Sequence, residues 1–249
     1  KRYINQQVQA YEPWSGSYLG IGKISDAFMC EEINNLVFNI EGLSHLQPGT
    51  PIAFSDKLNI EDDLISAQLD NVISAAMIIY LYQNGFQGTA FFTAQEEAGK
   101  SWRYVYEWFR KNKVTTNELL VLDTSPYDTR VEADIQQVVL RNRDANARFK
   151  SPILKQLKNF CHKNKIDFSC KDTFIQEKNK IRKEKGLPLL TLGSTELGRI
   201  VMESKGSIQG ATLQIPTTGY HTVEETASIK SVKAILLILS SIYIDTKKA

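Results

Sequence analysis

Hydrophobic and polar positions follow two different patterns along the chain, and the pattern changes near residue 63. Before that point, short apolar stretches such as SYLGIGKIS, NLVFNIEGL and LQPGTPIAFSD are separated by turns, which predicts a small antiparallel β-unit. After it, strand-like apolar runs alternate with segments whose apolar residues recur at helical spacing. We therefore predict a small β-domain over residues 1–63 and a larger domain over residues 64–249.

The larger domain is predicted to alternate strands with amphipathic helices. The predicted strands are GTAFFTA, ELLVLDTS and ATLQIPTTGYH. The predicted helices lie in SAQLDNVISAAMIIYLYQNG, SWRYVYEWFRKNK, SPILKQLKNFCHKNK and SIKSVKAILLILSSIYI. This alternation indicates the α/β class, and we expect a three-layer sandwich around a mostly parallel sheet.

Acidic residues and a histidine follow the ends of these predicted strands. Glu96 and Glu97 come after AFFTA, Asp123 ends LLVLD, and His221 follows ATLQIP. Asp70 stands at the start of an apolar helix. Ligands of open α/β sheets bind in the crevice outside the carboxyl ends of the strands, so we expect these groups to share one edge.

Each of these residues alone has a common structural explanation, as a helix cap, a turn residue or a hydrogen-bonded bystander. Together they would form a cluster of carboxyl groups, which is unfavourable unless protons or cations neutralise it. Carboxylates combined with an imidazole suit Zn²⁺ or another first-row divalent ion. Adjacent glutamates leaving a strand point in different directions, so one can bind metal while the other stays free as a base.

Composition narrows the classes of partner. A formal net charge of +2 over 249 residues gives no electrostatic reason to expect nucleic acid or an anionic membrane. The longest apolar stretch, AILLILSSIYI, is shorter than the roughly 20 residues that span a bilayer, so we expect no membrane association. Three scattered cysteines without a CxxC pair favour a reducing compartment and a cytoplasmic protein.

Five separated motifs resemble, in order, those of one protein family. They are ISAQLDNVISAAMIIYL, FFTAQEEAGKSW, LLVLDTS, TLGSTELG and IPTTGYHTVEE. They are similar to motifs of the co-catalytic di-zinc aminopeptidases, and most similar to the tetrahedral (glutamyl/deblocking) aminopeptidase family, also called the cellulase M family. The resemblance covers roughly residue 48 to the C-terminus. It implies an enzyme that hydrolyses N-terminal residues from peptides, with two divalent ions, zinc or cobalt, in a homo-oligomer between a dimer and a dodecamer.

The resemblance also implies a role for each candidate residue. Asp70 matches the aspartate that bridges the two metals, and Glu96 matches the general base. Glu97 matches a ligand of one metal, and Asp123 matches a ligand of the other. His221 matches the second metal's histidine. By this match, Asp70, Glu97 and His221 form one complete set of three protein ligands.

Two features depart from the family pattern. Glu196, in TLGSTELG, replaces an aspartate at a position linked to substrate recognition. The family also has a metal-ligating histidine in an HxD motif, upstream of a small inserted β-domain. The chain's other histidines, His45 and His162, lie in no such motif, so Asp70 and Asp123 alone would remain for the second metal.

The missing HxD has two explanations, a fragment or a degenerate relative. The start at Lys1, partway through a β-unit, favours a fragment with a partial small domain. Two other functions stay open besides the aminopeptidase. One is a related di-zinc deacylase or carboxypeptidase acting on N-acyl amino acids. The other is a non-catalytic pseudo-enzyme with one weak metal site.

Overall fold

The structure is a computed structural model, and it describes residues 3–47, 49–55 and 58–244. Lys1 and Pro48, where the chain and the resemblance begin, lie outside the described residues. The strands are β1 Gln7–Tyr11, β2 Tyr18–Cys30, β3 Asn35–Glu41, β4 Ile52–Phe54, β5 Asn59–Glu61, β6 Leu64–Ala67, β7 Thr116–Pro126, β8 Val138–Leu140, β9 Phe168–Cys170, β10 Ile208–Thr218 and β11 Glu225–Ser228. The helices are α1 Val72–Gln83, α2 Ser101–Asn112, α3 Arg130–Asp134, α4 Pro152–Lys163, α5 Lys171–Glu184, α6 Glu196–Glu203 and α7 Ile229–Tyr243.

The first four strands form an antiparallel sheet in the order β3-β2-β1-β4. Alternation along β1 buries Val8 and Ala10, which pack with Ile24 and Leu43 in a small core of their own. The predicted antiparallel unit is therefore confirmed. The division into two domains at residues 63/64 stays a prediction, and β5, which precedes that boundary, pairs within the larger sheet.

The larger sheet has seven strands in the order β5-β6-β11-β10-β8-β9, with β7 paired to β10. The α/β class is confirmed, but the expectation of a mostly parallel sheet is wrong. Only β10 with β7 and β8 with β9 are parallel, and the other described pairs are antiparallel. Short connections explain the difference, because β5 to β6 and β10 to β11 are joined by loops too short for a parallel crossover.

Strand β10 runs through the centre of the larger sheet and is buried along nearly its whole length. Its residues Leu213 and Ile215 pack in the main core with α4 and α7. Other core side chains that are at most 1% exposed include Leu140, Leu157, Leu197, Ile235, Ile238 and Leu239. Strand β11 pairs with both β10 and β6, and this pairing places the loop between β10 and β11 beside the start of α1.

The segment predicted as the strand GTAFFTA forms no strand, so that expectation is wrong. A strand needs a partner, and β7 pairs only with β10 among the described strands. Between this segment and β7 lies a largely apolar cavity of about 520 Å³, lined by β7 residues 118–122 and by side chains of α1. At the end of the cavity, Asn71 Nδ2 donates a hydrogen bond to the Leu122 carbonyl oxygen at 2.8 Å.

The helices and the cysteines bear on the expectations about membranes and disulfides. Among the helices that the structure describes, none combines the length and the apolar character that a bilayer-spanning segment needs. The cysteines Cys30, Cys161 and Cys170 are all free thiols.

Replacing Leu239 by Ala should lower the free energy of unfolding by about 2–5 kcal/mol, because it leaves a cavity in the main core. Leu237 provides a matched control on the same helix, since Leu239 is 1% exposed and Leu237 is 49% exposed. Leu237→Ala should change the unfolding free energy by only about 0.5 kcal/mol. Urea denaturation of both variants measures the difference, and equal effects would contradict the packing described for α7.

Candidate metal centre

Three of the predicted ligands lie together at one edge of the larger sheet. Ligand atoms of Asp70, Glu97 and His221 all lie within 4.8 Å of one another. His221 Nε2 is 2.9 Å from Glu97 Oε1 and 3.8 Å from Asp70 Oδ2. Asp70 lies between β6 and α1, Glu97 lies in the turn before α2, and His221 lies in the loop between β10 and β11.

The chemistry of these three residues fits a divalent cation. His221 Nε2 is buried and has no hydrogen-bond partner among the described residues, because its approach to Glu97 lacks hydrogen-bond alignment. A buried nitrogen without a partner is unfavourable, and this one is directed at two carboxyl groups. Two carboxylates and one imidazole are ligands of zinc and of related first-row ions.

Burial and neighbouring negative charges both act on the Asp70 carboxyl group. Burial raises the pKa of its carboxyl group to about 6, with further contributions from the negative charges of Glu225 and Glu97. The imidazole of His221 acts in the opposite direction. A bound cation would act against this rise in the pKa of Asp70, because its positive charge favours the ionised carboxylate.

Asp123 lies near Asp70 but outside the group of three. Its Oδ1 accepts a hydrogen bond from the Thr124 N–H at 2.8 Å, and its Oδ2 accepts one from Gln214 Nε2 at 3.0 Å. Gln214 is held in turn by Arg141, whose Nε donates to Gln214 Oε1 at 2.9 Å. Burial and then the charge of Asp70 raise the pKa of Asp123 to about 7.

Glu96 and Glu196 line a polar cavity of about 330 Å³ beside the group of three. Partial burial raises the pKa of the Glu96 carboxyl group, and the charges of Glu196, Glu97 and Asp70 raise it further. Glu196 is the first residue of α6, and its carboxyl oxygen is 3.5 Å from the hydroxyl of Thr93. The two glutamates thus share one cavity wall.

The turn that carries Glu96 and Glu97 is attached to α6 through Arg199. Arg199 Nη1 donates to the Gly99 carbonyl oxygen at 2.7 Å, and Arg199 Nε donates to Ser194 Oγ at 2.9 Å. Gly99 has a φ of +64°, and a Cβ built there would lie 2.6 Å from Arg199 Nη1. The positive φ favours glycine.

The remaining histidines take no part in this cluster. His45 and His162 are both exposed, and neither belongs to the group of three. Asp70 and Asp123 stay the predicted ligands of a second cation. The roles of Asp70, Glu96, Glu97, Asp123 and His221, and that of Glu196 in substrate binding, stay predictions.

Sequence reasoning missed three residues of this region: Glu225, Gln214 and Arg199. Glu225 accepts the backbone N–H groups of Asp70 and His221. Its only sequence signal is its place next to Glu224, four residues after His221. Gln214 carried a signal as a polar residue inside the apolar run ATLQIP. No sequence signal identified Arg199.

An α/β sheet whose loops bring carboxyl groups and an imidazole together offers the ligand types by which one class of hydrolases holds a water-activating divalent cation. Comparison with known proteins identifies the family of this chain. The chain belongs to the M42 glutamyl aminopeptidase family, whose family model matches residues 39–237. It is therefore a hydrolase of the aminopeptidase class. A search of curated protein sequences found no significant match.

Solved structures show the same fold at low sequence identity. An aminopeptidase from the archaeon Desulfurococcus kamchatkensis is 13% identical with a TM-score of 0.68, and the match covers 98% of this chain and 70% of the other. A TET aminopeptidase from a marine sediment Thaumarchaeota archaeon is 16% identical with a TM-score of 0.67, over 98% and 72%. The TET1 peptidase of Pyrococcus horikoshii is 16% identical with a TM-score of 0.65, over 98% and 73%.

Without metal, ionisation of buried carboxyl groups should lower the free energy of unfolding as pH rises from about 4 to about 7. The pKa values of Asp70 and Asp123 are raised to about 6 and about 7 in the folded state. Between these values and the unfolded value of about 4, the folded state binds more protons than the unfolded state. The contribution of Asp70 and Asp123 to the free energy of unfolding is therefore fully present below their pKa in the unfolded state. It is lost as pH rises through their pKa values in the folded state.

Urea denaturation of chelator-treated protein at several pH values between 4 and 7.5 measures this component. Asp123→Asn removes one of the two groups, so the stability of the variant should fall less over the window than that of the wild type. Identical pH profiles for the two proteins would contradict the shifted pKa of Asp123.

Proposed function

We propose that the protein is a metal-dependent aminopeptidase that removes N-terminal residues from peptides. The observation that carries the proposal is the group formed by Asp70, Glu97 and His221, with its buried and unpartnered imidazole nitrogen. Membership of the M42 family supports the same activity.

Asp70, Glu97 and His221 would hold one divalent cation, zinc or cobalt, as three protein ligands with room for a water molecule. Asp70 and Asp123 would hold a second cation with carboxyl groups alone, and hence more weakly. When bound there, such cations polarise a carbonyl group and lower the pKa of a water molecule.

Glu96 would act as the general base. It lies in the same turn as Glu97 and faces the polar cavity next to the ligand group. Its raised pKa suits a group that accepts a proton from the attacking water and returns it to the leaving amine. Glu196, on the wall of the same cavity, adds negative charge that would attract the protonated amino terminus of a peptide.

Self-association and location form part of the proposal. The TET1 peptidase of Pyrococcus horikoshii can assemble into a tetrahedron or a large octahedral shell. By this likeness the chain would form a homo-oligomer between a dimer and a dodecamer. The smaller sheet and the larger sheet would belong to two domains divided near residues 63/64, and the protein would act in the cytoplasm.

A non-catalytic role for a single metal site is the second candidate. This role is favoured by the proposed second cation site, for which the described residues offer Asp70 and Asp123 but no histidine. In that case the protein would bind one cation and hydrolyse nothing.

Replacing Glu96 by Gln should lower kcat by at least about 100-fold, because the amide cannot accept the proton of the attacking water. Zinc affinity should stay within about twofold of the wild type, since Glu96 lies outside the ligand group. Glu97→Gln is the matched control one residue away, and it should weaken zinc binding as well as activity. Aminoacyl-anilide hydrolysis and calorimetric zinc titration measure the two properties.

The same assay separates the candidate functions. Hydrolysis of N-acyl amino acids in place of aminoacyl-anilides would identify a deacylase or carboxypeptidase. Zinc binding without hydrolysis of either substrate would support the non-catalytic role. Near-normal hydrolysis by the Glu96→Gln variant would overturn the assignment of the base.

Titration of the metal-free protein with Zn²⁺ or Co²⁺ should reveal a tighter and a weaker binding event. The tighter event uses three ligands that include His221, and the weaker uses carboxyl groups alone. Asp123→Asn should weaken the second event and leave the first unchanged, whereas His221→Ala should weaken the first. A loss of the tighter event in Asp123→Asn would contradict this division of ligands.

A further inference from the structure

Glu225 is the most deeply buried carboxyl group in contact with the ligand loops. It is the first residue of β11 and is 1% exposed. Its Oε2 accepts a hydrogen bond from the Asp70 backbone N–H at 2.7 Å, and its Oε1 accepts one from the His221 backbone N–H at 2.7 Å. One side chain therefore joins two loops that are far apart in the sequence.

The two loops need such a connection. Asp70 lies in the short connection between β6 and α1, three residues after the end of β6, whereas His221 lies in the loop between β10 and β11. His221 has a φ of +56°, a left-handed conformation that is unfavourable for a residue with a Cβ. Such conformations persist only where the surroundings hold them, and the bond to Glu225 does this at the residue itself.

Glu225 does not belong to the ligand group itself. That group contains Asp70, Glu97 and His221, and both oxygens of Glu225 already accept backbone N–H groups. Among the described residues, no Lys or Arg forms an ion pair with Glu225. The carboxyl group thus lies buried without a basic partner in a region that already contains several acids, and what it gains there is the pair of N–H bonds.

We propose that Glu225 is a positioning residue, which holds Asp70 and His221 at the separation needed to share one cation. The inference rests on the proposed metal-binding function. It requires a carboxylate at this position, because both oxygens must accept a hydrogen bond. The amide of Gln has the same shape but can accept through one oxygen only, and its NH₂ group would face an N–H donor.

Glu225→Gln therefore tests the proposal with a change of one atom type. Zinc affinity should fall at least about tenfold, as for other groups that orient metal ligands. Glu224→Gln is the matched control, because it removes the same charge from the neighbouring residue, which is exposed. Its zinc affinity should stay within about twofold of the wild type. Equal zinc affinity in Glu225→Gln and Glu224→Gln would overturn the proposal.

Amide hydrogen exchange of the chelator-treated protein gives a second readout that needs no metal. The amides of Asp70 and His221 should exchange faster in Glu225→Gln than in Glu224→Gln, because at least one bond is lost. Unchanged exchange of both amides would overturn the proposal. If the wild type binds no zinc, the proposed function fails, and the exchange measurement still decides whether Glu225 orders the two loops.

A third variant covers the case in which Glu225→Gln does not fold. Glu225→Asp keeps two acceptor oxygens but withdraws them by one methylene, so both hydrogen bonds lengthen. It should weaken zinc binding relative to Glu224→Asp. Wild-type zinc affinity and wild-type exchange in Glu225→Asp would overturn the proposal.

Discussion

Mutual repulsion among carboxyl groups is the constraint on which the rest of this region depends. Asp70, Glu96, Glu97, Asp123 and Glu225 form one acidic region, and burial together with neighbouring negative charges raises the pKa values of Asp70, Glu96 and Asp123. Such a group is unfavourable in the absence of a counter-charge. The fold keeps it because the sheet and its loops fix the backbone on either side, and because two of the acids, Asp123 and Glu225, accept specific hydrogen bonds.

Neutral donors supply most of that support. Gln214 donates to Asp123, and the backbone N–H groups of Asp70 and His221 donate to Glu225. Arg199 approaches Glu96, but its hydrogen bonds go to the turn and to Ser194 rather than to a carboxyl group. Neutral donors orient the acids without cancelling their charge, so the negative potential that attracts a cation is preserved.

Local patterns in the sequence predicted what depends on local interactions. Helical spacing identified α1, α2, α4 and α7. Acids at the edges of apolar elements, such as Asp70 before a helix and Glu97 after an apolar run, identified residues that the structure brings together. The strand predicted at GTAFFTA was wrong because an apolar run forms a strand only beside a partner. The parallel sheet was wrong because short strands such as β11 carry too little pattern to be recognised. Glu225 could not be assigned because its role comes from two backbone groups outside its own strand.

The hydrogen bond from Asn71 to the Leu122 carbonyl has a consequence for how two acids are held. Asn71 follows Asp70 in the chain, and Leu122 precedes Asp123. Each partner of this bond is thus the chain neighbour of an aspartate, on two segments that are far apart in the sequence. The bond therefore ties the start of α1 to the end of β7 and limits how far the backbones of the two aspartates can move apart.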